Sequence, residues 1–213
     1  MEEQVRAPGR FIALEGGEGV GKSTQSKLLA EALRAGGYEV VLTREPGGTA
    51  GAEAIRALLL NIEGEGWGAR AEALLFAAAR ADHVERLIRP ALERGAWVIC
   101  DRFIDSSRAY QGGGSGLSDE DVLTLHRIGS EGLLPDLTLL FEVPVDVSSA
   151  RLAARDADGS DRIGGRAAEY HARVSSAFER FAEAEPERFV HIDGAEDVYV
   201  VHDAVMSAIG PLL

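Results

Sequence analysis

The chain has 213 residues, 46% apolar and 27% charged, which suits one α/β domain with a sizeable core. Its formal net charge is −13, from 22 basic against 35 acidic residues, which argues against non-specific binding to nucleic acid or to an anionic membrane. Uninterrupted apolar stretches, residues 139–141 among them, are too short to cross a bilayer.

Apolar runs alternate with helical patterns along the chain. Residues 11–14 read as a strand. Lys22–Ala35 reads as a helix, with Leu28, Leu29, Ala32 and Leu33 on one side and Gly36 and Gly37 as its stop. Residues 38–43 form a second strand. Residues 52–61 and 69–94 read as helices, the second broken near Pro90. Residues 97–100 are a buried strand. Ser118 with Asp121 three residues on is a capping box, opening a helix through Gly129. Residues 137–143 are a fourth strand. Val145–Arg155 and residues 166–184 are helices, the latter with Tyr170, Val174, Phe178 and Phe181 on one stripe. Residues 189–192 are a fifth strand and Val198–Ile209 a last helix. Strands separated by helices predict a five-stranded parallel sheet covered on both faces, a three-layer α/β/α domain spanning residues 1–213. Ligands are then expected at the carboxyl ends of the strands.

Residues 156–165 (DADGSDRIGG) break this rhythm. They are rich in Gly and Asp, lack an apolar period, and have Arg151, Arg155, Arg162 and Arg166 in or beside them. That composition suits a lid. The acidic N-terminus is no secretory signal, and the single cysteine, Cys100, excludes an internal disulfide; both lead to the expectation of a cytoplasmic protein.

Gly16, Gly17, Glu18, Gly19, Val20, Gly21, Lys22 and Ser23 match G-x-x-x-x-G-K-S/T, after a strand and opening a helix, with Thr24 next. Glycines let successive backbone N–H groups turn inward, making a concave anion site at a helix N-terminus. Lys22 reaches β- and γ-phosphates there, and the Ser23 hydroxyl is a ligand for Mg²⁺. Twenty of the basic residues are arginine and only Lys22 and Lys27 are lysine, so a lysine in this place is informative. The motif specifies nucleoside triphosphate binding on a P-loop fold and leaves kinase, GTPase and ATPase open. The strand at 97–100 runs into Asp101 and Arg102. An apolar strand ending in Asp is where such proteins hold the metal, and the Arg102 fork suits a phosphate.

With these segments in view, the sequence resembles the bacterial thymidylate kinase family. The resemblance is carried by EGGEGVGKST (15–24), TREPGGT (43–49), LLFAAAR (74–80), DRFIDSSRAYQGG (101–113), PDLTLL (135–140) and DRI (161–163), in order along nearly the whole chain. It implies transfer of the γ-phosphate of ATP to dTMP, giving dTDP and ADP, with Mg²⁺, in a homodimer to which the apolar helix at 69–79 would contribute. It also implies site roles. Phe76, by itself a core aromatic, would stack on thymine. Arg80, by itself equally a solvated arginine, would donate to thymine O4. Ser107 and Gln111 would read the remaining polar edge. Tyr110 would crowd C2′, and Glu18 would accept from the 3′-hydroxyl. Arg56 and Arg102 would hold the acceptor phosphate, beside Glu45 as a substrate-side acid and a cis Glu45–Pro46 bond. Where many relatives have Glu after Asp-Arg-Ile, this chain has Gly164 and a longer lid. The catalytic lid arginine is therefore open among Arg151, Arg155 and Arg162, with Arg162 and Arg155 preferred.

The chemistry agrees with the absence of a Ser-His or paired-carboxylate constellation. A phosphate monoester has a second pKa of about 6, so the acceptor is already a nucleophile near neutral pH. Catalysis reduces to positioning and charge neutralisation. A nucleoside kinase would need a base for a neutral hydroxyl. A DNA-handling ATPase would show a basic groove, which the net charge opposes.

Overall fold

The computed structural model describes residues 9–60, 66–155 and 167–213, with Arg155 described by its backbone alone. The expected lid at 156–165, including Arg162, lies outside the described residues, as do Asn61 and Arg166.

Five strands form one parallel sheet in the order β2-β3-β1-β4-β5. They are β1 Arg10–Gly16, β2 Val40–Arg44, β3 Trp97–Asp101, β4 Leu137–Glu142 and β5 Phe189–Asp193. β1 lies between β3 and β4, with Leu14 beside Asp101 and Gly16 beside Phe141. The chain leaves β1 where its neighbours' connections run to opposite sides. That is the switch point where doubly wound sheets bind ligands. The central strands are near-continuous apolar runs because both faces are covered.

On one face lie α1 (Lys22–Ala35) and α9 (Val198–Ile209), where Leu29, Leu33, Val205 and Ile209 close over Ile12, Ile99 and Leu139. On the other face, α2 (Ala50–Leu60), α3 (Ala69–His83), α6 (Asp119–Ser130) and α8 (Ala168–Ala184) surround the segment after β3. The stripe Tyr170, Val174, Phe178 and Phe181 of α8 is buried there, as its spacing predicts. The Ser118 Oγ accepts from Asp121 N at 3.1 Å, so the cap expected from sequence opens α6.

The break expected near Pro90 is found, and one helix start is corrected. The helix expected over 69–94 breaks before Pro90: α3 ends at His83, a π-helical turn spans Val84–Ile88, and a short α4 covers Arg89–Glu93. Pro90 sits in the first turn of α4, where its missing N–H costs nothing. Residues 104–114, for which the sequence pattern set no element, are helical: α5 (Ile104–Ser107) runs into a π-helical segment, Arg108–Gly114. The helix placed at 166–184 begins at Ala168, because Ala167 is extended at ψ 152°. α7 is Val145–Arg155, as expected.

Candidate active site

The loop from Gly16 to Gly21 wraps the N-terminus of α1. Gly16 has φ 128°, and a Cβ there would lie 2.3 Å from the Phe141 carbonyl oxygen, so the crossing at the end of β1 excludes every side chain. The Lys22 ammonium donates to the Gly16 carbonyl at 3.1 Å and to that of Gly17. Burial, then the neighbouring Arg102 charge, holds that ammonium well below the usual lysine range. Ser23 and Thr24 are exposed at the mouth of a cleft of about 1200 Å³, lined also by Gly19, Val20, Asp101 and Arg151.

A second cleft, of about 570 Å³, opens beside it. Phe76, Arg80, Ser107, Tyr110 and Gln111 line it. Glu18, Glu45, Arg56 and Arg102 line both clefts, so the two are continuous across these four side chains. The structure thus brings together every described residue that the resemblance singled out. Arg155 and Arg162 fall outside what is described at the side-chain level. Arg151 donates to the Gly194 carbonyl at 2.9 Å at the edge of the phosphate cleft. The Glu45–Pro46 bond is cis.

Arg80 is buried at 3% exposure and fixed on three sides. Its Nε donates to Glu45 Oε2 at 2.7 Å, and its Nη2 donates to the Phe103 carbonyl at 3.1 Å and to Ser107 Oγ at 2.9 Å. Nη1 has no partner among the described residues. Glu45 is held in turn by His83 Nδ1 at 3.0 Å, and His83 Nε2 meets Thr43 Oγ1 at 2.8 Å. The solvated reading of Arg80 is therefore excluded: a buried chain from Thr43 to Ser107 aims it.

Tyr110 is pinned by its backbone and by its ring. Its carbonyl accepts from Ser115 N and from the Tyr170 hydroxyl, each at 3.0 Å. The first of these bonds spans five residues, the wide turn of a π-helix. That geometry turns both Tyr110 and its neighbour Gln111 to the cleft. The Tyr110 ring packs near Tyr170 and Phe178, and the Arg102 guanidinium lies 5.0 Å from its centroid.

Glu15 was not singled out from the sequence, yet it holds this wall in place. It is fully buried and accepts from Phe103 N at 2.7 Å, Ser106 N at 3.0 Å and Ser106 Oγ at 2.6 Å. Burial, then the Asp105 charge, pushes its carboxyl above the usual range, against those hydrogen bonds. Behind it, Asp105 bonds Arg108 and Arg188, which share Glu185. A charged residue closing an apolar strand was the signal for Glu15. For His83 the signal was its place three residues after Arg80, on the same face.

A phosphate-cradling loop on this sheet, continuous with a second cleft whose walls carry a buried arginine and an aromatic, is the arrangement of a P-loop nucleotide-binding enzyme. The family model for thymidylate kinase matches residues 14–205. The chain belongs to the thymidylate kinase family, and it is a kinase. It is 58% identical over 206 residues to a thymidylate kinase of Rhizorhabdus wittichii, covering 97% of this chain and 99% of that one. It is 49% identical over 205 residues to a thymidylate kinase of Pseudomonas fluorescens, covering 96% and 97%. Its fold matches the crystal structure of thymidylate kinase from Ehrlichia chaffeensis with a TM-score of 0.77 at 33% identity, covering 95% of this chain and all of that one.

Proposed function

We propose that the larger cleft receives ATP and the smaller one dTMP, and that the γ-phosphoryl group passes between them across Glu18, Glu45, Arg56 and Arg102. The observation that carries this is the continuity of the two clefts over those four side chains. Two arginines in the shared wall suit an acceptor phosphate facing a donor phosphate. Glu18 suits a sugar hydroxyl, since a carboxylate accepts and repels phosphate. The acceptor monoester attacks directly, so the protein's tasks are to align it and to neutralise charge on the group in flight. Lys22 and Arg102 do this from the loop and the shared wall; Arg162 or Arg155 does it from the lid.

The phosphate cleft fits Mg²⁺. Ser23 and Asp101 offer hard oxygen donors on its wall, and the Asp101 carboxylate has no hydrogen-bond partner among the described residues. One or two protein oxygens plus substrate phosphates is how this ion is commonly held. When bound, it neutralises the β- and γ-phosphate oxygens. Among the described residues no helix is long and apolar enough to cross a membrane. A cytoplasmic homodimer joined through the α2–α3 side, where Leu58 and Leu74 are exposed, completes the proposal.

The test is ADP release with ATP and a panel of pyrimidine monophosphates. dTMP is expected to be the best acceptor. dUMP should fall behind it by the 10–200-fold, roughly, that one missing methyl commands. dCMP should be the poorest, because its amine would face the Arg80 donor. Equal use of dCMP and dTMP would overturn the placement of the base against Arg80.

The sugar provides a separate test. With its ring fixed by Tyr170 and Phe178, Tyr110 is a rigid wall, and its bulk should exclude a ribose 2′-hydroxyl. Tyr110→Ala is expected to narrow the preference for deoxy over ribo acceptors more than it slows dTMP. Loss of a large buried aromatic costs roughly 3–5 kcal/mol, so Tyr110→Phe serves as the folded control and should keep the preference. An unchanged ratio in a folded Tyr110→Ala protein would count against the ring as the excluding wall.

A further inference from the structure

Gln111 presents a two-faced side chain to the base cleft. Its amide carries an acceptor oxygen on one side and a donor nitrogen on the other. Which side meets the ligand decides which base edge fits. A ring imide offers N–H and needs an acceptor. The corresponding ring nitrogen of an aminopyrimidine is unprotonated and needs a donor.

The choice is made by Glu72. This residue lies on α3, one helical turn before Phe76, and is 1% exposed. Its Oε1 accepts from Gln111 Nε2 at 3.0 Å. The amide nitrogen is thus the atom that faces Glu72, and the amide oxygen faces the other way. That oxygen has no partner among the described residues and is not among the sealed polar atoms, so it is open to the cleft that Gln111 lines. Arg80 Nη1, a donor, is open in the same cleft. A donor and an acceptor on the wall of one cleft complement the carbonyl and N–H of an imide edge.

We propose that Glu72 is a positioning residue that locks the Gln111 amide with its oxygen toward the base, and so contributes to selection of an imide pyrimidine over an aminopyrimidine. The inference rests on the base lying against Phe76, Arg80 and Gln111 as set out above. In Glu72→Gln the new amide can donate as well as accept, so Gln111 is free to turn over. The variant should accept dCMP better relative to dTMP, by about tenfold or more, the scale of one buried polar group no longer left unpaired. KM for ATP should not move.

A double-mutant cycle separates this from a loss of packing. kcat/KM for dTMP and for dCMP is measured in wild type, Glu72→Gln, Gln111→Met and the double variant. Glu72→Gln is expected to shift the dTMP:dCMP ratio only when Gln111 is present. If Glu72→Gln shifts the ratio equally in the Gln111→Met background, or leaves it unchanged while Gln111→Met alters it, the positioning role is overturned. If Gln111→Met itself leaves the ratio and the dTMP KM unchanged, the placement of the base fails instead, and this role with it. Should Glu72→Gln not fold, the wild-type enzyme decides. The Gln111 side-chain amide, assigned by its loss in Gln111→Met, should show one proton protected from exchange before dTMP is added. Two rapidly exchanging protons would overturn the lock.

Discussion

Lys22→Met is expected to lower kcat by about 10²–10³ while KM for dTMP stays near the wild-type value, the scale seen when one donor aimed at developing charge is removed. Methionine keeps the length and the apolar stem of lysine, so the packing under α1 survives and the lost element is the ammonium. In the structure that ammonium folds back on the Gly16 and Gly17 carbonyls, inside the loop that phosphates would occupy. An anion in the loop gives it a better partner. Lys22→Arg should not restore the rate, because a planar five-donor fork does not fit a crown shaped for a point charge. The same group yields a pH test. Its pKa is depressed, chiefly by burial, and phosphate contact would favour the charged form. Between the depressed and the restored value, nucleotide binding must take up a proton. Calorimetry in two buffers of different ionisation heat should show uptake growing as pH rises above neutral, and Lys22→Met should abolish it. Proton-neutral binding by the wild type across that range, or an unchanged kcat in Lys22→Met, would remove Lys22 from this role.

The parts of this site that the sequence made legible are those where local geometry forces residue choice. A loop that must turn its N–H groups inward needs Gly16, and a helix opening on phosphate needs the lysine in a chain with only one other. The five parallel strands and the three layers followed from apolar runs alternating with helical periods, and α1, α7 and α9 begin and end where the pattern placed them; the strand order came from the structure. Glu72, His83 and Glu15, whose importance lies in a distant partner, were not legible. Glu72 and Gln111 are 39 positions apart, Glu45 and His83 are 38 apart, and Glu15 meets Ser106 across 91. Alone, each is an ordinary polar residue; the pairing comes from the topology. The π-helical segment at Arg108–Gly114 was hidden for another reason. Its local pattern set no element, and two of its three glycines are where α8 packs closest. A Cβ on Gly113 would lie 2.6 Å from the Ala177 Cβ, and one on Gly114 would lie 2.5 Å from the Tyr170 ring. Glycine here marks close packing and not a break. The resemblance to the family supplied roles for Phe76 and Arg80 that composition and period could not.

Arg102 supports the second large effect, and its backbone makes the test unusually clean. It is one of two non-glycine residues at positive φ among those described, at 69°. For an L-residue this left-handed conformation costs roughly 1–2 kcal/mol, which glycine does not bear. The position is held from both sides: Arg102 N donates to the Leu14 carbonyl at 2.9 Å, and Glu15 anchors Phe103 and Ser106 beyond it. The strain brings the guanidinium into the wall between the clefts, bonded to the Gly16 carbonyl at 3.0 Å and Ser106 Oγ at 3.1 Å. Arg102→Ala and Arg102→Gly both remove that charge, and only the glycine variant relieves the backbone. Both are expected to lose roughly 10³ or more in kcat/KM, the scale of an arginine that neutralises charge on a transferring phosphoryl group. KM for dTMP should rise as well, since this side chain would meet the acceptor phosphate before the reaction begins. Thermal unfolding should show the glycine variant more stable than the alanine variant by about 1 kcal/mol. Stability and activity thus move independently across the pair. If Arg102→Gly kept near-wild-type turnover, the residue's importance would lie in the turn it makes after β3, and the charge that bridges the two clefts would have to come from Arg56 or from the lid.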